Sequence, residues 1–86
     1  MCTYLTGKIT VEGSGKGAAG WFALTEATVY LDHPQHARDE HTLNIDFLNP
    51  ERGPAARVAV ELSAASARAL AEAISSALAS APAGLV

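Results

Sequence analysis

The hydrophobic period of the chain changes once, near residue 63, and this change constrains the fold most strongly. After it, apolar residues recur at Leu70, Ile74 and Leu78, the spacing of one helical face, and Ser63 suits an N-cap. The pattern predicts a helix over about residues 64–80. Before the change, apolar and polar residues alternate as in strands with one buried face, and we place these strands at about 4–12, 21–31, 42–48 and 56–62.

This order of segments predicts an α+β fold, a four-stranded antiparallel meander sheet with one C-terminal helix packed on one face. The last two strands suggest their own register. Pairing Ile45 with Val60 keeps the apolar residues on one face and sets Asn44 opposite Glu61. The second strand has imperfect parity, which indicates either a bulge near Thr25 and Glu26 or an end with both faces covered.

Residues 13–20, Gly-Ser-Gly-Lys-Gly-Ala-Ala-Gly, are rich in glycine and lie between two strand patterns. We interpret them as a flexible hairpin connection. The stretch also matches G-x-G-x-x-G from Gly15, but a dinucleotide site needs a helix after the motif. Because a strand is predicted there, we do not expect a nucleotide cofactor.

Length and composition limit how stable the folded chain can be. Its 86 residues suit a single domain over 1–86, and the single cysteine excludes an intramolecular disulfide. A domain of this size gains stability from a metal or from self-association. We therefore expect a homo-oligomer, most simply a dimer, that pairs through the open sheet face; a monomer with ordinary exposed apolar residues is the alternative. The apolar residues on that face are Phe22, Tyr30, Leu48 and Ala59.

The net charge and the distribution of basic residues argue against two classes of partner. Six Lys and Arg against nine Asp and Glu give a net charge of −3, and the basic residues are scattered. Neither nucleic acid nor a membrane is therefore expected as a partner. We recognise no signal peptide and no apolar run long enough to span a bilayer, so the expected location is the cytoplasm, where Cys2 stays reduced.

The three histidines fall within nine residues, at His33, His36 and His41. Imidazole is the commonest metal-binding side chain, and the predicted connection between the second and third strands can direct these rings to one point. The cluster predicts a site for a divalent transition metal, with zinc first and iron, copper, nickel or cobalt also suited to such ligands. A metal-dependent enzyme is one activity that such a site would serve.

Neighbouring residues extend this hypothesis. Asp32, Glu40 and Asp46 are candidates to accept a hydrogen bond from an imidazole N–H or to replace one histidine as a ligand. Cys2, a soft ligand before the first strand, would favour zinc or copper. Without a metal, His41 paired with Asp46 or Glu40 would form a general base.

Two further alternatives remain open. In the first, the histidines bind no metal and are exposed loop residues that titrate independently. In the second, the protein is a non-enzymatic interaction module. In the second case the open sheet face or the glycine-rich hairpin would bind a protein or a small molecule.

Four stretches also suggest a relationship to known sequences: Met-Cys-Thr-Tyr at 1–4, Trp-Phe at 21–22, Asp-His-Pro-Gln-His at 32–36 and Glu-His-Thr-Leu-Asn-Ile-Asp-Phe at 40–47. In these stretches the chain resembles a group of short bacterial proteins that form a domain of unknown function. The resemblance covers nearly the whole chain and assigns no catalytic residue.

Overall fold

The computed structural model describes residues 6–33 and 41–86. In this part of the chain four strands are followed by one helix, and a short 3-10 helix, Pro50–Arg52, separates the last two strands. Each strand pairs antiparallel with the next, in the order β1-β2-β3-β4. The predicted α+β meander with a C-terminal helix is confirmed. The elements are β1 (Thr6–Gly17), β2 (Gly20–Asp32), β3 (Thr42–Leu48), β4 (Arg57–Leu62) and α1 (Ala64–Ala79).

The register between β3 and β4 agrees with the one deduced from hydrophobicity. Ile45 lies opposite Val60, and Asn44 lies opposite Glu61. A slip of one residue would turn every apolar side chain of a strand to the other face, so the pattern excludes that slip. We call the face that carries Ile45 and Val60 the helix-side face and the face that carries Asn44 and Glu61 the far face.

The interpretation of residues 13–20 as a flexible connection is wrong. Strand β1 continues to Gly17, and Gly17 pairs with Gly20, so only Ala18 and Ala19 form the turn. Neither alanine has a positive φ, whereas Gly20 has a φ of 114°. A tight turn followed by a glycine with positive φ is a common hairpin connection, and it closes the ladder here.

Neighbouring side chains explain why glycines can form this strand. A methyl group on Gly15 would lie 3.2 Å from Leu24 Cδ2, and one on Gly17 would lie 3.1 Å from Phe22 Cε1. The side chains of β2 therefore cover the glycine backbone of β1, as apolar groups do when they protect glycine in a sheet.

The expected irregularity is a β-bulge, but it lies in β1. Thr10 pairs with Glu26 and Gly13 pairs with Leu24, so two residues of β1, at positions 11 and 12, lie opposite Thr25 alone. Strand β2 itself alternates regularly between the two faces. The imperfect parity of its sequence reflects the bulge in β1, which lies opposite Thr25.

Helix α1 begins as predicted and ends one residue earlier. The Ser63 side chain caps it by accepting a hydrogen bond from the Ser66 backbone N–H at 3.1 Å. The helix lies against β3 and β4, and none of its residues is buried. Its apolar stripe remains 43%, 53% and 58% exposed at Leu70, Ile74 and Leu78. The helix thus covers only part of the apolar sheet face. Within the described residues, no helix is long and apolar enough to cross a membrane.

Candidate metal site and the adjoining polar cluster

Two of the three histidines come together where β2 and β3 begin to separate. The last pair of the ladder is Asp32 with Thr42, and His33 and His41 occupy the next position on each side. Their ring centroids are 4.5 Å apart, with ring planes inclined at 31°. The antiparallel register itself brings these side chains together, since directly opposed residues in a sheet share a face.

This separation is close to what a shared ion requires. Two imidazoles that ligate one tetrahedral zinc, each at about 2.0–2.1 Å, have centroids roughly 5 Å apart. Both His33 and His41 are exposed, so an ion can reach them from solvent. Over residues 6–33 and 41–86, no group of three His, Cys, Asp or Glu side chains is arranged to hold a metal. A complete site needs at least one further ligand.

Asp32 supports the backbone at this position. Its Oδ1 accepts a hydrogen bond from the His33 backbone N–H at 2.7 Å. Such a local side-chain bond restrains the backbone from which His33 projects. The structure therefore places the Asp32 carboxylate in contact with the backbone of His33, and the predicted bond from Asp32 to an imidazole N–H stays a prediction.

The other predicted site residues divide into three that the structure does not describe and one, Asp46, that it does. His36, Glu40 and Cys2 fall outside the described residues. Asp46 lies five positions along β3 from His41, which corresponds to roughly 16 Å of extended chain. The structure thus brings His33 and His41 together and places Asp46 away from them, in a separate cluster on the far face.

That cluster joins three strands through one carboxylate. The Tyr30 hydroxyl donates to Asp46 Oδ2 at 3.0 Å, and Arg57 donates to Asp46 Oδ1 from Nη2 at 2.8 Å and from Nε at 3.2 Å. Tyr30 and Arg57 are each diagonal to Asp46 across the ladder. Long side chains reach such diagonal neighbours. The proximity of Arg57 to Asp46 follows from the register, whereas the bond from Tyr30 was not foreseen.

The environment of Tyr30 keeps its hydroxyl protonated. Burial raises the pKa of Tyr30, and the hydrogen bond to Asp46 and the charge of Asp46 raise it further. A side-chain hydrogen bond with Asn44 and the positive charge of Arg57 act in the opposite direction on this pKa without reversing its rise. Tyr30 therefore serves as a hydrogen-bond donor at neutral pH.

Three polar residues of the described part of the chain, Thr42, Asn44 and Asn49, are buried, and the sequence reasoning missed their burial. Thr42 and Asn44 lie on the far face, and Thr42 Oγ1 donates to Asn44 Oδ1 at 2.6 Å. The alternating pattern of β3 assigned them to this face. It gave no signal that they would be buried, because alternation assigns a residue to a face and does not show whether that face is covered.

A small cleft lies beside the β1–β2 turn. Its volume is about 150 Å³, and it lies between Trp21, Phe22 and Arg52. Pockets for small molecules usually have about 300–1,000 Å³, so this cleft has room for only a small group.

Comparison with known proteins gives a family and no activity. No curated protein and no solved structure matches the chain. A family model described as a family of unknown function matches residues 1–86. This agrees with the resemblance to a short domain of unknown function. The chain belongs to that family, DUF6295.

Proposed function

We propose that this protein binds a divalent transition metal at the connection between β2 and β3, with His33 and His41 as two ligands and zinc as the first candidate. The observation that carries the proposal is the 4.5 Å separation of the two rings. Imidazole nitrogen is a good ligand for zinc and for the neighbouring transition metals.

The sheet supports the proposal because it positions the two rings in advance. Each histidine directly follows a residue of the final ladder pair, Asp32 with Thr42. Binding an ion there requires less ordering of the chain than binding to two histidines on separate flexible segments, which favours affinity.

Two imidazoles leave room for further ligands. His36 and Glu40 belong to the same connection in the sequence, and either would complete a three-ligand site. Three protein ligands and one open position are the arrangement of catalytic zinc, so a metal-dependent enzyme is the activity class that this proposal favours. We also place the protein in the cytoplasm, where reducing conditions would keep Cys2 available as a soft ligand.

The test measures metal binding by protein without a histidine tag, freed of metal and then titrated with zinc and cobalt. Calorimetry reports affinity, and thermal melting reports stabilisation, because a metal at 100 times its Kd adds about 2.7 kcal/mol to the unfolding free energy. We expect His33→Ala and His41→Ala each to weaken binding at least about tenfold, as removal of a ligand should. His36→Ala determines whether that residue supplies the third ligand.

Asp46→Asn is the matched control, since it removes a carboxylate from β3 well away from the histidine pair. It should leave metal affinity unchanged. The proposal is wrong if zinc, iron, copper, nickel and cobalt all leave the melting temperature unchanged. It is also wrong if the double variant His33→Ala/His41→Ala binds zinc as the parent protein does.

A further inference from the structure

The terminal pair of the β2–β3 ladder, Asp32 with Thr42, determines where His33 and His41 lie, because each histidine adjoins one member of this pair. The ends of secondary-structure elements are the parts of a fold that open most easily. The 4.5 Å separation of the two rings therefore depends on how firmly the terminal pair is held.

Thr42 is completely buried, although it is polar and lies at the first position of β3. Its hydroxyl donates to Asn44 Oδ1 at 2.6 Å, and Asn44 is only 7% exposed. A buried polar group is costly to leave unpaired, so both side chains are confined to arrangements that keep this bond. The bond thereby fixes the orientation of the first residue of β3.

Asn44 connects this bond to the neighbouring strand. It lies directly opposite Tyr30 in the ladder, and the two side chains share a hydrogen bond. Tyr30 in turn donates to Asp46 Oδ2 at 3.0 Å. Side chains on the far face thus tie the start of β3 to β2, in addition to the backbone ladder.

The β2 side of the terminal pair has a support of its own. Asp32 Oδ1 accepts a hydrogen bond from the His33 backbone N–H at 2.7 Å. His33 therefore follows a polar side chain that restrains its backbone, and His41 precedes Thr42, which is restrained through Asn44.

A metal site tolerates little displacement of its ligands, which must stay within about 0.5 Å of their productive positions. If the terminal pair opened, the ladder would end at Leu31 with Leu43, and each histidine would lie two positions beyond it. Each residue of a strand spans about 3.3 Å, so the rings would be free to separate by more than this tolerance.

We propose that Thr42, held by Asn44, is a positioning residue of the metal site: its hydroxyl fixes the backbone from which His41 projects and so sets the spacing between His41 and His33. This inference rests on the proposed metal function. It gives the buried pair of Thr42 and Asn44 a role in that function.

Thr42→Val tests the inference, because valine keeps the branched shape of threonine and removes the hydroxyl, which leaves Asn44 Oδ1 without this donor. Loss of a group that supports a metal ligand typically lowers metal affinity about 10–100-fold, and we expect the lower end, about tenfold for zinc, because Thr42 acts through the backbone. The absorption spectrum of the cobalt-loaded protein should also change. Thr42→Ser restores the hydroxyl and should recover the parent affinity and spectrum.

Val60→Ala is the control for a general loss of stability. It removes apolar contacts at the pair of Ile45 with Val60, inside the sheet, and should leave the zinc affinity and the cobalt spectrum unchanged. Asn44→Ala removes the acceptor instead of the donor, so it replaces Thr42→Val with the same expected result if that variant fails to fold. Circular dichroism checks that each variant is folded.

A measurement on metal-free protein separates this inference from the proposed function. The parent protein should show a nuclear Overhauser effect between the ring protons of His33 and His41, and folded Thr42→Val should lose it. A parent protein that binds no metal would contradict the proposed function, and this comparison would still decide whether Thr42 positions the rings. The inference is overturned if folded Thr42→Val keeps either the zinc affinity or the ring contact of the parent, or if Val60→Ala loses them equally.

Discussion

The hydroxyl of Tyr30 donates a hydrogen bond to the Asp46 carboxylate across the ladder of β2 and β3. Arg57 binds the other oxygen of the same carboxylate from β4. One acidic side chain thus connects three strands on the far face, and its neighbours decide how the protein responds to alkali and to substitution.

Alkaline pH should destabilise the fold through Tyr30. Its folded-state pKa is raised above the ordinary value of 10.0, so its stabilising contribution is complete below pH 10 and is lost as pH rises through the folded-state pKa. Thermal melting between about pH 9 and 11 should show a steeper fall for the parent protein than for Tyr30→Phe. Parallel curves for the parent and Tyr30→Phe would contradict the prediction.

Asp46 and Arg57 should contribute unequally to stability. The Arg57 side chain is 50% exposed, and solvent screens its ion pair, so Arg57→Ala should lower the unfolding free energy by less than about 1 kcal/mol. The Asp46 side chain is only 14% exposed, and Asp46→Ala deprives Tyr30 and Arg57 of their shared acceptor at a cost of about 1–2 kcal/mol. Urea denaturation measures both, and equal losses would argue against a shared acceptor.

The two glycines at either end of the glycine-rich stretch should respond oppositely to a methyl group. Gly20→Ala forces alanine into a positive φ and should destabilise the protein by about 1 kcal/mol or more. Gly13 lacks a positive φ, and an added Cβ meets no atom within 4 Å, so Gly13→Ala should be neutral or stabilise by up to about 1 kcal/mol. Thermal or urea unfolding compares the two, and the reverse order would contradict the turn geometry.

Local patterns were sufficient for the architecture and insufficient for the packing of the helix. Alternation in β3 and β4 predicted the observed pairing of Ile45 with Val60, because a slip of one residue would put the apolar residues of the two strands on opposite faces. The same reasoning treated residues 13–17 as a loop, since glycine disfavours a strand unless a neighbour such as Phe22 covers it. The covering side chains belong to the opposite strand of the hairpin, so the sequence of residues 13–17 alone does not reveal them.

At the histidine site, too, the sequence predicted one part of the arrangement and missed another. The sequence predicted that the histidines flank a connection between strands, and the register supplies the proximity of His33 and His41. Asp46 lies outside that neighbourhood because it is five residues along the strand from His41. Its actual partners, Tyr30 and Arg57, come from two other strands, so they could not be assigned from its spacing to His41.

The bulge in β1 reverses the face of the sheet on which the odd-numbered residues of this strand lie. Before it, Ile9 shares a face with Ala27; after it, Gly15 shares a face with Phe22 on the other side. If the strand kept all its residues but lost the bulge, its second half would shift by one position and Gly15 would pair with Trp21 instead of Phe22. The glycines would then turn toward the helix-side face, and the backbone that Leu24 and Phe22 now cover would lose that cover.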